Sequence, residues 1–118
     1  MYDNIKRISI VKTELYELTS PIVCHGYAGT LLILLTAYKY KEDEVLRNKI
    51  LELVEILLKE YRSDSLFGYQ DVETTYVDGQ YAVKYIDKNS FLEGTSGIVL
   101  VLLSLIKRNT RFEICLQL

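Results

Sequence analysis

Apolar residues recur along this chain at helical spacings, in two different patterns. In residues 4–18 and 43–62 they repeat every three or four positions, which predicts amphipathic helices that each have one solvent face. Residues 27–38, YAGTLLILLTAY, are apolar on every side, which predicts a helix surrounded by protein. Residues 95–107, TSGIVLVLLSLIK, are almost as apolar, and their length favours a second buried helix over a strand.

The pattern changes between the third and fourth predicted helices. In TTYVDGQYAVKYI, apolar and polar residues alternate on both sides of Asp78-Gly79. This dipeptide supplies the positive φ angles that a two-residue hairpin turn requires. We therefore predict an all-α protein with a small β-hairpin insertion near residues 73–87.

The two apolar helices begin with the same arrangement of small residues. Gly26 corresponds to Gly94 and Gly29 to Gly97, both at a spacing of 68 residues. Such glycines permit close approach of another backbone, a ligand or a metal, and a tight crossing of two helices is the alternative. The order of elements predicts one domain, residues 1–118, in which apolar inner helices and amphipathic outer helices form a two-layer ring from two repeats, 24–62 and 92–108.

Composition and charge exclude several classes of protein. The chain has 118 residues, 49% of them hydrophobic and 25% charged, with a net charge of −2, as expected for a folded globular chain. It has no cluster of Lys and Arg, so we expect no nucleic-acid partner. It has no secretory signal, and its apolar runs of about a dozen residues are shorter than the ~20 that a membrane span needs. A cytoplasmic location follows as an expectation.

The only histidine, His25, directly follows Cys24 in SPIVCHGYAG. Thiolate and imidazole are both ligands of tetrahedral zinc. Adjacent residues on a regular helix diverge by about 100°, so the pair could bind one ion only from irregular backbone, which Ser20-Pro21 and Gly26 provide. Two ligands fall short of the usual three or four, and an inert buried cysteine therefore stays open.

The stretch CHGYAG with its apolar helix, followed later by FLEGTSGIVLVLLSL, resembles the C-terminal portion of the lanthionine synthetase C family. These proteins are the cyclases of lantibiotic biosynthesis. The resemblance implies an α/α barrel (toroid), a bound zinc ion, and addition of peptide cysteine thiols to dehydroalanine or dehydrobutyrine, which forms lanthionine or methyllanthionine. It implies these roles: zinc ligands Cys24 and His25, structural glycines Gly26 and Gly29 at the site, and Gly94 and Gly97 as the matching motif of the second repeat.

The resemblance also implies partners and an incomplete site. The substrate would be a dehydrated precursor peptide, and a lantibiotic dehydratase and transporter would meet the protein at the inner face of the membrane. The third zinc ligand of the family, a cysteine, and its acid and base residues lie upstream of the CHG motif. We therefore expect a C-terminal fragment that is inactive alone and self-associates through exposed apolar helix faces. Cys115, on the other side of the motif, is not expected to replace the missing ligand.

Two functional classes stay open at this point. The chain belongs either to a zinc enzyme that cyclises peptides or to a non-catalytic helical repeat protein that binds a peptide or a partner. Glu93, beside the second glycine motif, is either a carboxylate near the substrate or a helix-start charge favoured by the helix dipole. The ten tyrosines could line a peptide groove. The simpler expectation is that those at the ends of elements pack with their hydroxyls in water: Tyr38, Tyr61 and Tyr69.

Overall fold

A computed structural model describes residues 1–107 of the chain. The described residues form four α-helices, a short 3₁₀ helix and one antiparallel two-stranded sheet, so the prediction of a mostly helical protein with a small hairpin is confirmed. Cys115 and the end of the second predicted repeat, residue 108, lie outside the described residues. The elements, in order, are α1 (Tyr2–Ile10), the 3₁₀ helix (Thr13–Tyr16), α2 (Tyr27–Tyr40), α3 (Glu44–Glu60), β1 (Gln70–Val77), β2 (Gln80–Asp87) and α4 (Thr95–Lys107).

Helix α2 lies at the centre of the helical body and packs against α1, α3 and α4. Each fully buried Leu or Ile contributes about 1.5–3 kcal/mol, so this packing is the main source of stability. No described helix has the length and apolar character needed to cross a membrane. The core consists mainly of residues from α2, α3 and α4: Ala28, Leu31, Leu32, Leu34, Leu46, Ile50, Leu53, Leu57, Ile98 and Val101.

The two apolar helices are not enclosed on every side. On α2, Ile33 is 50% exposed, and on α4, Val99 and Leu103 are each 42% exposed. The prediction of helices surrounded by protein is therefore wrong for one side of each, because no element of residues 1–107 covers these positions. Both helices nevertheless start where the glycine motifs predicted.

The first predicted helix ends early. The apolar pattern predicted a helix through residue 18, but α1 ends at Ile10 and Val11 is extended. Lys49 of α3 explains the break: its buried ammonium donates to the Val11 carbonyl (3.0 Å) and to the Thr13 hydroxyl (2.8 Å). A continuous helix would use that carbonyl for its own ladder. Three residues of the predicted apolar stripe are exposed: Ile8, Val11 and Leu15.

The hairpin forms around the predicted turn. Asp78 and Gly79 have φ angles of 51° and 79°, and Val77 pairs with Gln80 across them. Two residues with positive φ match the twist of paired strands. The first strand begins at Gln70, a little before the predicted start. The residue before this strand, Tyr69, packs against the helical body: it is buried, and its hydroxyl donates to the carbonyl of Leu57 (2.9 Å). The prediction that the Tyr69 hydroxyl lies in water is therefore wrong.

Candidate functional site

Cys24 and His25 lie in an irregular segment before α2, the Cys-His loop (residues 20–26). The loop folds back on the helix start: the Tyr27 N–H donates to the Ser20 carbonyl (2.9 Å) and the Ala28 N–H to the Pro21 carbonyl (3.2 Å). These bonds satisfy amides that have no partner within the helix. The side chains of Cys24 and His25 are both exposed, and Cys24 is a free thiol. Cys24 is therefore not the buried cysteine that the sequence left open.

A second loop (residues 88–94) precedes α4 in the same way. The Thr95 N–H donates to the carbonyl of Lys88 (3.0 Å), and Lys88 follows Ser20 by the same 68 residues that separate the glycine motifs. The two loops thus close on their helices through bonds at corresponding positions. Each loop supplies an acceptor for the first amide of the helix that follows.

Glycine is required at both helix starts because the loop backbone passes directly over them. A Cβ on Gly29 would overlap the Val23 carbonyl oxygen, and one on Gly97 would overlap the Phe91 carbonyl oxygen. Gly26 and Gly94 have the same relation to the first residue of their loops. The close approach proposed from the sequence is therefore made by each helix's own loop.

The two loops also contact each other at corresponding positions. The Cys24 N–H donates to the carbonyl of Leu92 (2.8 Å), and Leu92 is the counterpart of Cys24 in the second loop. A Cβ at Gly97 would lie 2.8 Å from a methyl carbon of Val23, so the glycine also admits the neighbouring loop. The counterpart of His25 is Glu93, which lies 3.5 Å from the Lys88 ammonium. The backbone of the candidate ligand Cys24 is thus hydrogen-bonded to the second loop.

A buried carboxylate from the hairpin joins the starts of both loops. The Asp71 side chain is 1% exposed, and its oxygens accept from the Ser20 hydroxyl (2.7 Å) and the Lys88 ammonium (2.9 Å). The Ser20 oxygen accepts in turn from the Val72 N–H (3.2 Å). Asp71 could not be predicted from the sequence as a buried residue, since an acid in a strand carries no local signal of burial.

The charges around Asp71 support its ionised form. Burial alone would raise the pKa of Asp71, but the hydrogen bonds from Lys88 and Ser20, with smaller electrostatic contributions from Lys88 and His25, hold it below its ordinary value. The pKa of Lys88 is raised, first by its bond to Glu73 (2.7 Å) and then by its bond to Asp71. Both partners therefore stay charged at neutral pH.

An apolar groove of about 610 Å³ opens beside the two candidate ligands. Cys24 and His25 lie on its wall, and Leu92 of the second loop contributes to it. The groove could not be predicted from the sequence, because it depends on how residues 18–33 fold back on themselves and on the contact with Leu92. Its other apolar side chains are Leu18, Val23, Leu32 and Ile33.

The donor atoms of Cys24 and His25 suit zinc, but two ligands are fewer than a zinc site usually has. Sulfur and nitrogen are suitable donors, and both side chains project from irregular, exposed backbone. In residues 1–107, however, no three His, Cys, Asp or Glu side chains come close enough together to hold a metal ion. If the protein binds zinc here, the described residues would supply two of its ligands, and a further ligand would have to come from outside them.

Comparison with known proteins assigns the chain to a family. A family model described as lanthionine synthetase C-like protein matches residues 1–117, which include both loops, the hairpin and all four helices. No curated protein matches the chain. The motif resemblance and the family model thus agree over nearly the whole length. The chain belongs to the lanthionine synthetase C-like family.

Proposed function

We propose that this chain supplies part of the zinc site of a lantibiotic cyclase, an enzyme that forms lanthionine and methyllanthionine rings. The observation that carries the proposal is the exposure of Cys24 and His25 on a loop fixed by hydrogen bonds, at the wall of an apolar groove. Membership of the lanthionine synthetase C-like family makes this chemistry the one to test first.

We further propose that the described helices are a segment of an α/α barrel. In this arrangement α2 and α4 are inner helices, and α1 and α3 are outer helices. The corresponding bonds of the two loops support a repeat of this kind. The exposed apolar sides of α2 and α4 would then pack against further inner helices.

In the proposed reaction, the sulfur of a peptide cysteine bonds to the β-carbon of dehydroalanine or dehydrobutyrine. A proton is added at the neighbouring α-carbon, which balances the proton lost by the thiol. Zinc held by Cys24 and His25 would supply the Lewis acidity that favours the thiolate at neutral pH. Because His25 serves as a ligand, it cannot also protonate the α-carbon, and the acid comes from another part of the enzyme.

The apolar groove suits the substrate that this reaction requires. A dehydrated precursor peptide carries uncharged dehydroalanine and dehydrobutyrine residues, and apolar walls such as Val23 and Ile33 accept such groups without the cost of desolvating a charge. A lantibiotic dehydratase would deliver this peptide and a transporter would remove the product. Both proteins would meet the cyclase in the cytoplasm, at the inner face of the membrane.

Zinc content, measured by elemental mass spectrometry on purified protein, tests the proposal. We expect zinc in the wild-type protein and its loss in Cys24→Ala, because that variant removes one donor of the site. Cys115→Ala is the matched control, since it removes the other thiol of the chain and should keep the metal.

The absence of zinc from both the wild-type protein and Cys24→Ala would contradict the proposal. It would favour the alternative, a non-catalytic helical module that binds a peptide or a partner protein. The lack of a third ligand within residues 1–107 supports this alternative.

A further inference from the structure

We infer that Asp71 is a positioning residue for Cys24 and His25, which it serves by joining the starts of the Cys-His loop and the second loop. The contacts that define this role are independent of any metal. Its consequence for zinc binding rests on the function proposed above.

The side-chain bonds of Asp71 lead from the hairpin to the two loops. Asp71 belongs to β1, but neither of its two side-chain bonds goes to the hairpin turn. They go to Ser20 and Lys88, which occupy corresponding positions at the starts of the two loops. A buried charge is costly unless its hydrogen bonds are complete, and here both oxygens have a donor.

The first arm of this connection runs through Ser20. Its hydroxyl donates to Asp71, and its carbonyl accepts from the Tyr27 N–H at the start of α2. Gly26 lies against the same carbonyl with no room for a Cβ. The position of Ser20 therefore fixes both ends of the Cys-His loop.

The second arm runs through Lys88. Its ammonium donates to Asp71, and its carbonyl accepts from the Thr95 N–H at the start of α4. These bonds hold the second loop, whose Leu92 carbonyl accepts the Cys24 N–H. Asp71 thus supports the backbone of Cys24 from two directions.

Such support matters for metal binding because ligands that are already in place need little ordering. Loss of a group that holds a metal ligand in position typically weakens metal affinity by about 10–100-fold. Asp71 would act in this way without touching the metal. Its loss should therefore change both the mobility of Cys24 and the affinity for zinc.

Hydrogen exchange at the Cys24 amide is the first readout, and it requires no metal. In Asp71→Asn the bond from Lys88 loses its ionised acceptor, so we expect the Cys24 amide to exchange about tenfold faster than in the wild type. The control is Glu73→Gln, which removes another carboxylate bound to Lys88 but leaves Ser20 and Asp71 in place. Its exchange rate should stay within about twofold of the wild type.

Zinc affinity, measured by competition with a chelator, is the second readout. We expect about tenfold weaker binding in Asp71→Asn, similar weakening in Ser20→Ala, and less than additive weakening in the double variant, because both residues act through one connection. Ile50→Val, a core change on α3, controls for general loss of stability and should keep the affinity. If Asp71→Asn fails to fold, Ser20→Ala provides both readouts.

The outcomes separate this inference from the proposed function. Unchanged Cys24 exchange in Asp71→Asn and Ser20→Ala would overturn the positioning role, whether or not zinc binds. Faster exchange in a protein without zinc would support the positioning role and contradict the proposed function. If the wild type binds zinc, equal affinity in Asp71→Asn would also overturn the inference.

Discussion

Gly29 lies where the carbonyl of Val23 passes over the first turn of α2. A methyl group at this position would displace the backbone of the Cys-His loop. We expect Gly29→Ala to lower the free energy of unfolding by about 1–3 kcal/mol, the usual cost of overpacking, despite the higher helix propensity of alanine. Chemical denaturation followed by circular dichroism measures this change.

The neighbouring variant Thr30→Ala is the control for the glycine prediction. It lies on the same helix turn, and within residues 1–107 its hydroxyl makes only a long bond (3.4 Å) to the Gly26 carbonyl. We expect a change below about 1 kcal/mol. Equal losses of unfolding free energy in Gly29→Ala and Thr30→Ala would show that the close approach of the Val23 carbonyl does not require glycine at position 29.

The contribution of Asp71 to the stability of the fold depends on pH. Its pKa is lower in the folded protein than the ordinary 3.8, so its ionised form stabilises the fold above that value. The contribution is lost as the pH falls through the lower, folded-state pKa. We expect the stability difference between wild type and Asp71→Asn to shrink from about pH 6 to about pH 2. A constant difference in urea denaturation across this range would contradict the prediction.

At the scale of elements, Lys49 sets the end of α1 and the start of the 3₁₀ helix. It is 6% exposed, and its ammonium is bound by the Val11 carbonyl, the Thr13 hydroxyl and the Glu52 carboxylate. We expect Lys49→Met to cost about 1–3 kcal/mol of unfolding free energy, because it leaves partly buried acceptors without a donor. Thermal denaturation provides the measurement.

Lys59→Met on the same helix is the matched control for Lys49. Lys59 is 75% exposed and pairs only with Glu55 of the preceding turn (3.2 Å) among its described contacts. Exposed pairs of this kind contribute little, so we expect a change within about 0.5 kcal/mol. A loss as large as that of Lys49→Met would refute the role of burial.

At the scale of the whole molecule, α4 presents an apolar stripe to solvent. Val99, Leu103 and Ile106 are 42%, 42% and 79% exposed, and their spacing places them on one face of the helix. Contiguous apolar surface of several hundred Å² is unusual on a monomer. We expect the chain to self-associate, with an apparent mass in light scattering that increases with concentration.

Charged substitutions identify the surface responsible for self-association. The double variant Val99→Lys and Leu103→Lys should lower the apparent mass toward that of a monomer. The control is Leu51→Lys with Leu58→Lys, which places the same charge on exposed apolar positions of α3 (56% and 61% exposed). A monomeric wild type at high concentration would contradict the prediction, and an equal effect of both double variants would show that α4 is not the contact surface.

The sequence by itself determined the features that depend on neighbours in the chain. The period of apolar residues located the helices, and α4 has the predicted span, Thr95–Lys107. Asp78-Gly79 located the hairpin because only residues that tolerate positive φ form that turn. The glycine motifs and the Cys-His pair identified the family, which the family model confirms.

Tertiary structure alone decided the features that depend on residues distant in the chain. The end of α1 follows from Lys49, and the support of Cys24 comes from Leu92 and Asp71. One side of α2 and one side of α4 are exposed because no element of residues 1–107 covers them. A buried ammonium or carboxylate takes its partners wherever packing brings them, because its desolvation must be offset by hydrogen bonds. Local patterns therefore predicted the candidate ligands, whereas only the packed structure revealed the residues that hold their loop.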